Sequence, residues 1–308
     1  MNRLAGIIFA SVGFVVAVLS VTKVVHGLTG TGIVMILAGG LIIGLSFISR
    51  PDTEGTERMS TVSTLGNIFF APSEVFKNLR RHPRFLVAML IMTILSGTYA
   101  NLFLYRVGAD KVANFAIDKT LEISFMNDDA KKRVEEGRPQ AIADNKDPVI
   151  KSGQVVGSFA GSFFGYAFLA LLFLLVTMAM GGQINFMQAF SAAVYATFPV
   201  SVLRFILNTT ILFIKPDPDQ IHPILGQQSL IQDNLNFLVL SSEHPVIFTI
   251  LGSISVLLFY WIWMIATGVK NAGEKVSGSI AWSAALIVYS LLILLGVTFA
   301  FLFPGFIS

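Results

Sequence analysis

The sequence has no cysteine, and only 13% of its 308 residues are charged, where a soluble domain carries about a quarter. The missing thiols remove disulfides, zinc thiolates and cysteine nucleophiles together. Other chemistry is thin as well. No serine stands in a nucleophile elbow, no glycine-rich loop follows a strand, and no H-E-x-x-H occurs. Four histidines are present; His222 and His244 share a segment with Asp217, Asp219 and Glu243, but without ligand spacing on a defined element. The small net charge of +3 is uninformative, but no basic stripe interleaved with aromatics occurs, so nucleic acid is not an expected partner. The expectation is therefore a chain that is not an enzyme, binds no metal and uses no cofactor.

What the sequence has in quantity is apolar residues, 54% of the chain with 27 Phe among them. They fall in blocks long enough to cross a bilayer rather than in a core-and-surface period. The blocks predict an all-α, polytopic transmembrane bundle of seven spans: 4–25, 30–48, 85–105, 153–180, 184–214, 246–267 and 280–303. The first run is longer than a signal-peptide core and lacks an A-x-A-like cleavage site, so it is read as a retained span. All 18 acidic residues lie between the spans, which disfavours a carboxylate proton relay inside the hydrocarbon.

Lysine and arginine beside the span ends set the orientation. Arg3, Arg50, Arg58, Lys77, Arg80, Arg81, Arg84, Lys270 and Lys275 fall on one side if the N-terminus is cytoplasmic. Lys23, Lys215 and the segment 108–152 fall on the other, where basic and acidic residues interleave. The expected topology places the N-terminus inside and the C-terminus outside.

Between the spans, "PSEVFKNLRRHP" (72–83) predicts a short helix opened by Pro72 and stopped by Pro83. Val75, Phe76 and Leu79 gather on one face and Lys77, Arg80 and Arg81 mostly on the other, a layout suited to the headgroup plane. Lys77, Arg80, Arg81 and Arg84 are the candidate contacts to anionic lipid. Two short helices are expected over 110–143, one capped by Asn127, and another over 229–242.

Arg204 is the one charge deep inside a span (Lys23 lies at the end of the first), placed after Pro199, which is expected to interrupt the helix. Three readings stay open: snorkelling to the outer interface, a buried hydrogen-bond network, or a ligand or headgroup contact. Tyr195, Asn101 and Gln188 are the polar companions of a candidate intramembrane site. Gly153, Gly157, Gly161 and Gly165 form one ridge four residues apart, suited to close helix crossing. The expected mate is the second span through Gly39, Gly40 and Gly44, with Gly157 and Gly161 closest and Gly153 at the rim. A second copy of the chain is the competing partner.

Three separated motifs carry a resemblance: "FFAPSEVFKNLRRHPRF", "INFMQAFSAAVYATFPVSV" and "YWIWMIATGVKNAGEKVSGSIAW". In this order they resemble the Yip1 domain, over about residues 69–303. The resemblance implies a five-span core with a cytoplasmic N-terminus and supplies no catalytic residue. The domain expectation is an N-terminal hairpin (1–48), a cytoplasmic linker (49–83) and a Yip1-like core (84–308) with outer helical segments at 108–152 and 215–245. Eukaryotic relatives bind Rab-type GTPases and act in vesicle trafficking. This chain has two extra spans where they carry a long hydrophilic N-terminus, so Rab binding is not expected and a bacterial inner membrane is. The functional expectation is a non-enzymatic membrane organiser or scaffold; the alternative is a transporter or channel for a small solute, ion or lipid.

Overall fold

Apolar runs in a membrane must satisfy their backbone N–H and C=O groups internally, and these runs do so as helices. The computed structural model describes residues 2–22, 24, 27–45, 47, 57–123 and 126–304. In chain order its helices are α1 (Asn2–Val21), α2 (Thr29–Leu45), α3 (Thr61–Asn67), α4 (Pro72–Arg81), α5 (Leu86–Val107), α6 (Ala109–Leu121) and α7 (Asp128–Glu136). They continue as α8 (Arg138–Asp144), α9 (Pro148–Ala179), α10 (Phe186–Ile214), α11 (Leu225–Gln228), α12 (Pro245–Gly252), α13 (Val256–Ala272) and α14 (Gly278–Leu302). The fold is all-α and polytopic.

The span count needs correction. Among the described residues, five helices are long and apolar enough to cross a membrane, namely α1, α5, α9, α10 and α14, not the expected seven. The second expected span is the 17-residue α2, and the end placed at residue 48 lies outside the described residues. The sixth breaks in two at Ser253–Ser255. There Ser255 Oγ donates to the Asp233 carboxylate at 2.5 Å and accepts Leu258 N–H at 3.2 Å, while Asp233 also accepts Leu257 N–H at 3.1 Å. These side chains take up the first free N–H groups of α13 and so start a new helix rather than continue the old one.

Pro199 lies inside α10 without ending it, against expectation. Asn127 caps α7, accepting Ala130 N–H at 2.8 Å. Gly137, Arg138 and Pro139 open α8, so the described residues of this segment hold three helices, α6, α7 and α8, rather than the expected two. Residues 229–242 are not the expected helix and contain only a single 3₁₀ turn, Leu235–Leu238. Asn208 explains part of this, since its Oδ1 accepts Leu230 N–H at 2.7 Å and Ile231 N–H at 3.1 Å and holds the backbone open.

Packing divides the chain into two units. Unit 1 comprises Met1–Ile94, Ser152–Ser201 and Tyr260–Ser290. Its centre is a phenylalanine trio: Phe190 stands edge-on to Phe85 at 4.7 Å between centroids and 5.2 Å from Phe163, tying α10 to α9 and to the start of α5. Within the same unit α1 and α2 pack with almost no side chain between them. A Cβ on Gly32 would stand 2.6 Å from Ala17 N, and one on Gly39 would stand 2.6 Å from Ala10 N. Ser20 and Thr29 share a hydroxyl hydrogen bond of 2.8 Å near the turn of this pair. Phe9 packs edge-on against Phe159 at 5.2 Å and ties α1 to α9.

Unit 2 comprises Leu95–Lys151, Val202–Phe259 and Leu291–Ser308. Tyr99, Phe103 and Val107 of α5 pack there with Val112, Leu212 and Ile221. Tyr99 Oη donates to Gly226 O at 2.6 Å, and Arg106 donates to Lys215 O at 3.0 Å. Those bonds draw the 215–228 segment onto the helix ends.

Candidate functional site

The polar residues of unit 1 converge where α4 meets the turns joining α9 to α10 and α13 to α14. α4 forms because Pro72 occupies its first turn, Glu74 sits near the free N–H groups, and Arg80 and Arg81 face the carbonyl end. Its apolar face does not lie on headgroups. Val75, Phe76 and Leu79 are all 0% exposed, and Phe76 seats on Gly268 of α13, where an added Cβ would meet its ring at 3.1 Å. Only the polar face, with Lys77 and Arg81, is exposed.

One polar residue shares the buried face. Asn78 Nδ2 donates to Glu57 O at 2.9 Å, and its Oδ1 accepts Met59 N–H at 3.3 Å and Arg84 Nη2 at 3.5 Å. Arg84 Nη2 also donates to Thr64 Oγ1. Burial, with a further contribution from the nearby Arg58 charge, holds Arg84 below the usual arginine range. Of the four proposed lipid-contact residues, Arg84 thus turns into the protein. Arg80 is half-buried, and its Nη2 lies 3.9 Å from Glu274 Oε1.

Asn185 and Gln188 cap the start of α10 reciprocally: Asn185 Oδ1 accepts Gln188 N–H and Gln188 Oε1 accepts Asn185 N–H, each at 2.9 Å. Gln188 Nε2 then donates to Arg80 O at 3.0 Å, and Glu274 N–H donates to Gln183 O at 2.7 Å. Between these groups opens a cavity of about 300 Å³, walled by Met178, Gln183, Ile184, Asn185, Gln188 and Glu274. Gly273, next to Glu274, leaves little room for a side chain: a Cβ there would stand 2.4 Å from Val276 Cγ2 and 3.1 Å from Gln183 O.

The four residues of the expected intramembrane site do not share one environment. Tyr195 and Gln188 are buried, whereas Arg204 and Asn101 are exposed, Asn101 donating to Gly97 O of its own helix at 2.8 Å. Helical spacing accounts for this: seven residues bring 188 and 195 onto one face of α10, and nine put 204 on the opposite one. The glycine ridge is also corrected. Gly153 meets Leu28, with Cβ contacts from 2.5 Å, and Gly157 meets Thr31 from 3.3 Å, while a Cβ on Gly161 or Gly165 would meet nothing within 4 Å. On α2, Gly39 faces α1 and Gly40 and Gly44 face open space.

Sequence reasoning missed Asn78, Thr64, Gly268 and Glu274. Asn78 had a legible signal, a polar residue on an otherwise apolar stripe; Gly268 and Glu274 act only across helices. Among the described residues, no group of three or more His, Cys, Asp or Glu side chains could hold a metal ion. Nothing among curated proteins or solved structures matches the chain. The Yip1 domain matches residues 66–302 and so takes in α4, the two turns and every wall of the cavity. This chain is a multi-pass membrane protein that belongs to the Yip1 domain family.

Proposed function

We propose that the protein is a non-catalytic organiser of membrane lipids and protein partners, and that the α4 end of unit 1 is its working face. The observation that carries the reading is the burial of Val75, Phe76 and Leu79, which fixes α4 as a rigid platform with Lys77 and Arg81 outward. Lys270 and Lys275, also exposed, flank the α13–α14 turn of the same unit. Basic residues beside span ends favour the cytoplasmic side and attract anionic headgroups. A bacterial inner membrane with this end inside is the address that fits. Residues 1–48 act as an added helical hairpin, 49–83 as the linker carrying α4, and 84–308 as the core.

Each basic side chain near an anionic surface contributes about 1 kcal/mol. Replacing Lys77 and Arg81 by Gln is therefore expected to lower local enrichment of phosphatidylglycerol about 30-fold. The assay is self-quenching of headgroup-labelled phosphatidylglycerol in proteoliposomes made with phosphatidylcholine. Equal quenching by both proteins would refute the reading, as would solute efflux that requires the wild-type chain.

A further inference from the structure

We infer that the cavity beside Glu274 binds a phospho-ammonium zwitterion, the headgroup chemistry of an aminophospholipid. The inference rests on the reading of this end as a lipid-facing surface and names the ligand class that one of its sites takes.

Depth is the first argument. The cavity is walled by the last residues of α9, the first of α10 and the turn before α14, so it lies where membrane-crossing helices end and headgroups begin. Charge is the second. Arg80 Nη2 and Glu274 Oε1 stand 3.9 Å apart, beyond a direct hydrogen bond, and their side chains are 38% and 52% exposed. The two opposite charges form a long, part-exposed ion pair with no direct hydrogen bond between them. Arg80 stands outside the cavity wall, beside Glu274, so a ligand whose ammonium sits in the cavity on the Glu274 carboxylate can set a phosphate two carbons away on the guanidinium.

Pre-organisation is the third argument. Asn185 and Gln188 are committed to each other, Gln188 also holds Arg80 O, and the backbone of Glu274 is held by Gln183 O. The charged side chains therefore project from a fixed frame. The cavity's volume of about 300 Å³ admits roughly ten non-hydrogen atoms, enough for a phosphoethanolamine unit. Met178, 58% exposed on α9, adds an apolar flank along which glycerol and acyl carbons can run.

The carboxylate supplies selectivity, because a primary ammonium donates hydrogen bonds to it and a choline headgroup has none to donate. The test is native mass spectrometry of the full-length protein titrated with phosphatidylethanolamine, phosphatidylcholine and phosphatidylglycerol of matched chains. Wild type is expected to prefer phosphatidylethanolamine over phosphatidylcholine about tenfold. Glu274→Gln should erase that preference without weakening phosphatidylcholine, and Glu274→Asp should keep part of it. Free phosphoethanolamine is titrated in parallel: binding as tight as the lipid's makes a soluble headgroup the ligand, and weaker binding makes it the bilayer lipid. Equal retention of the two lipids by wild type overturns the inference without any variant, and so does an unchanged preference in Glu274→Gln. The organiser reading fails separately, through Lys77 and Arg81 in vesicles that contain no aminophospholipid.

Discussion

Substituting Gly32 by Leu tests whether backbone contact is what joins α1 to α2. A Cβ at this position would stand 2.6 Å from Ala17 N and 2.8 Å from Ala17 Cα and Cβ. Ala17 backbone cannot rotate away, so the helices must separate by about 0.8 Å for a Cβ alone, and further for the rest of a leucine. In a bilayer no hydrophobic force presses them together again, because lipid tails are as apolar as leucine. A gap of that size forfeits a quarter to a half of each dispersion well, and overpacking in this class costs about 2 kcal/mol, a factor of about 30 in the packed-to-open ratio. Ser20 and Thr29 provide the readout. Their hydroxyl oxygens lie 2.8 Å apart, so Ser20→Cys with Thr29→Cys should oxidise to a disulfide in a chain that has no other cysteine. Disulfide formation should slow about 30-fold when Gly32→Leu is added. It should not change when Gly161→Leu is added instead, since nothing lies within 4 Å of that position. Equal rates in the Gly32→Leu and unmodified backgrounds would show that the glycine contacts do not hold this pair.

Gly161→Leu should leave the yield and melting of the folded monomer unchanged; conversion of a dimer into a stable monomer on native mass analysis would instead place the Gly161–Gly165 half of the ridge between subunits. Phe76→Ala, at a fully buried ring seated on Gly268, should destabilise by about 3–5 kcal/mol in a detergent melt, whereas Lys77→Ala should be silent. Arg204→Leu should fold normally, because Arg204 is exposed; a misfolded Arg204→Leu rescued by neutralising a carboxylate elsewhere in the chain would refute that placement. His222 is held below its usual pKa by burial and then by Lys119, and its Nδ1 accepts the N–H groups of Ile224 and Leu225. The unfolded chain takes up this proton first, so His222's contribution is complete above about pH 6.5 and fades as pH falls through the lower folded value. Hydrogen exchange of 224–228, corrected for intrinsic rates, should therefore quicken on acidification, and His222→Asn should remove that dependence.

Much of the helical content was readable because it depends on local chemistry. Pro72 opens α4 and Asn127 caps α7 by interactions within a single turn. Two further facts were readable and passed over. The spacing of 188, 195 and 204 already assigns Arg204 to the face opposite Tyr195 on any continuous helix. Repeated small residues at Gly6, Ala10, Gly13 and Ala17 in α1, with Gly32 and Gly39 in α2, mark the tight pair as clearly as the ridge in α9 did. Other features depend on distant partners. Asp233 and Ser255, 22 positions apart, decide that α12 and α13 are separate helices; Gly252, Ser253 and Ser255 are the local mark of the break, but the Asp233 partner is distant. The direction in which α4 turns its apolar face depends on Gly268, nearly two hundred residues later.

That last dependence bears on why hydropathy overcounts the spans. A run that is apolar on every side suits a lipid-facing helix and a helix buried among others equally well. α13 is of the second kind over much of its later part, where Trp261, Ile262, Met264, Ile265, Ala266, Gly268, Val269 and Ala272 are buried, while Val256, Phe259 and Trp263 stay exposed. Its Trp261 Nε1 donates to Thr197 Oγ1 at 2.9 Å, a bond that needs a neighbouring helix rather than lipid. α14 is of the first kind, with 25 residues and only 17% of its apolar window buried. Length separates the two where composition cannot, because 17 residues extend about 26 Å against a hydrocarbon layer of about 30 Å. A helix that falls short in length can still be strongly apolar where protein takes the place of lipid along part of it. Around α13, Phe76 of α4 and Ala192 of α10 fill that role at Gly268, so the platform that carries the basic face of α4 also roofs the shortened helix.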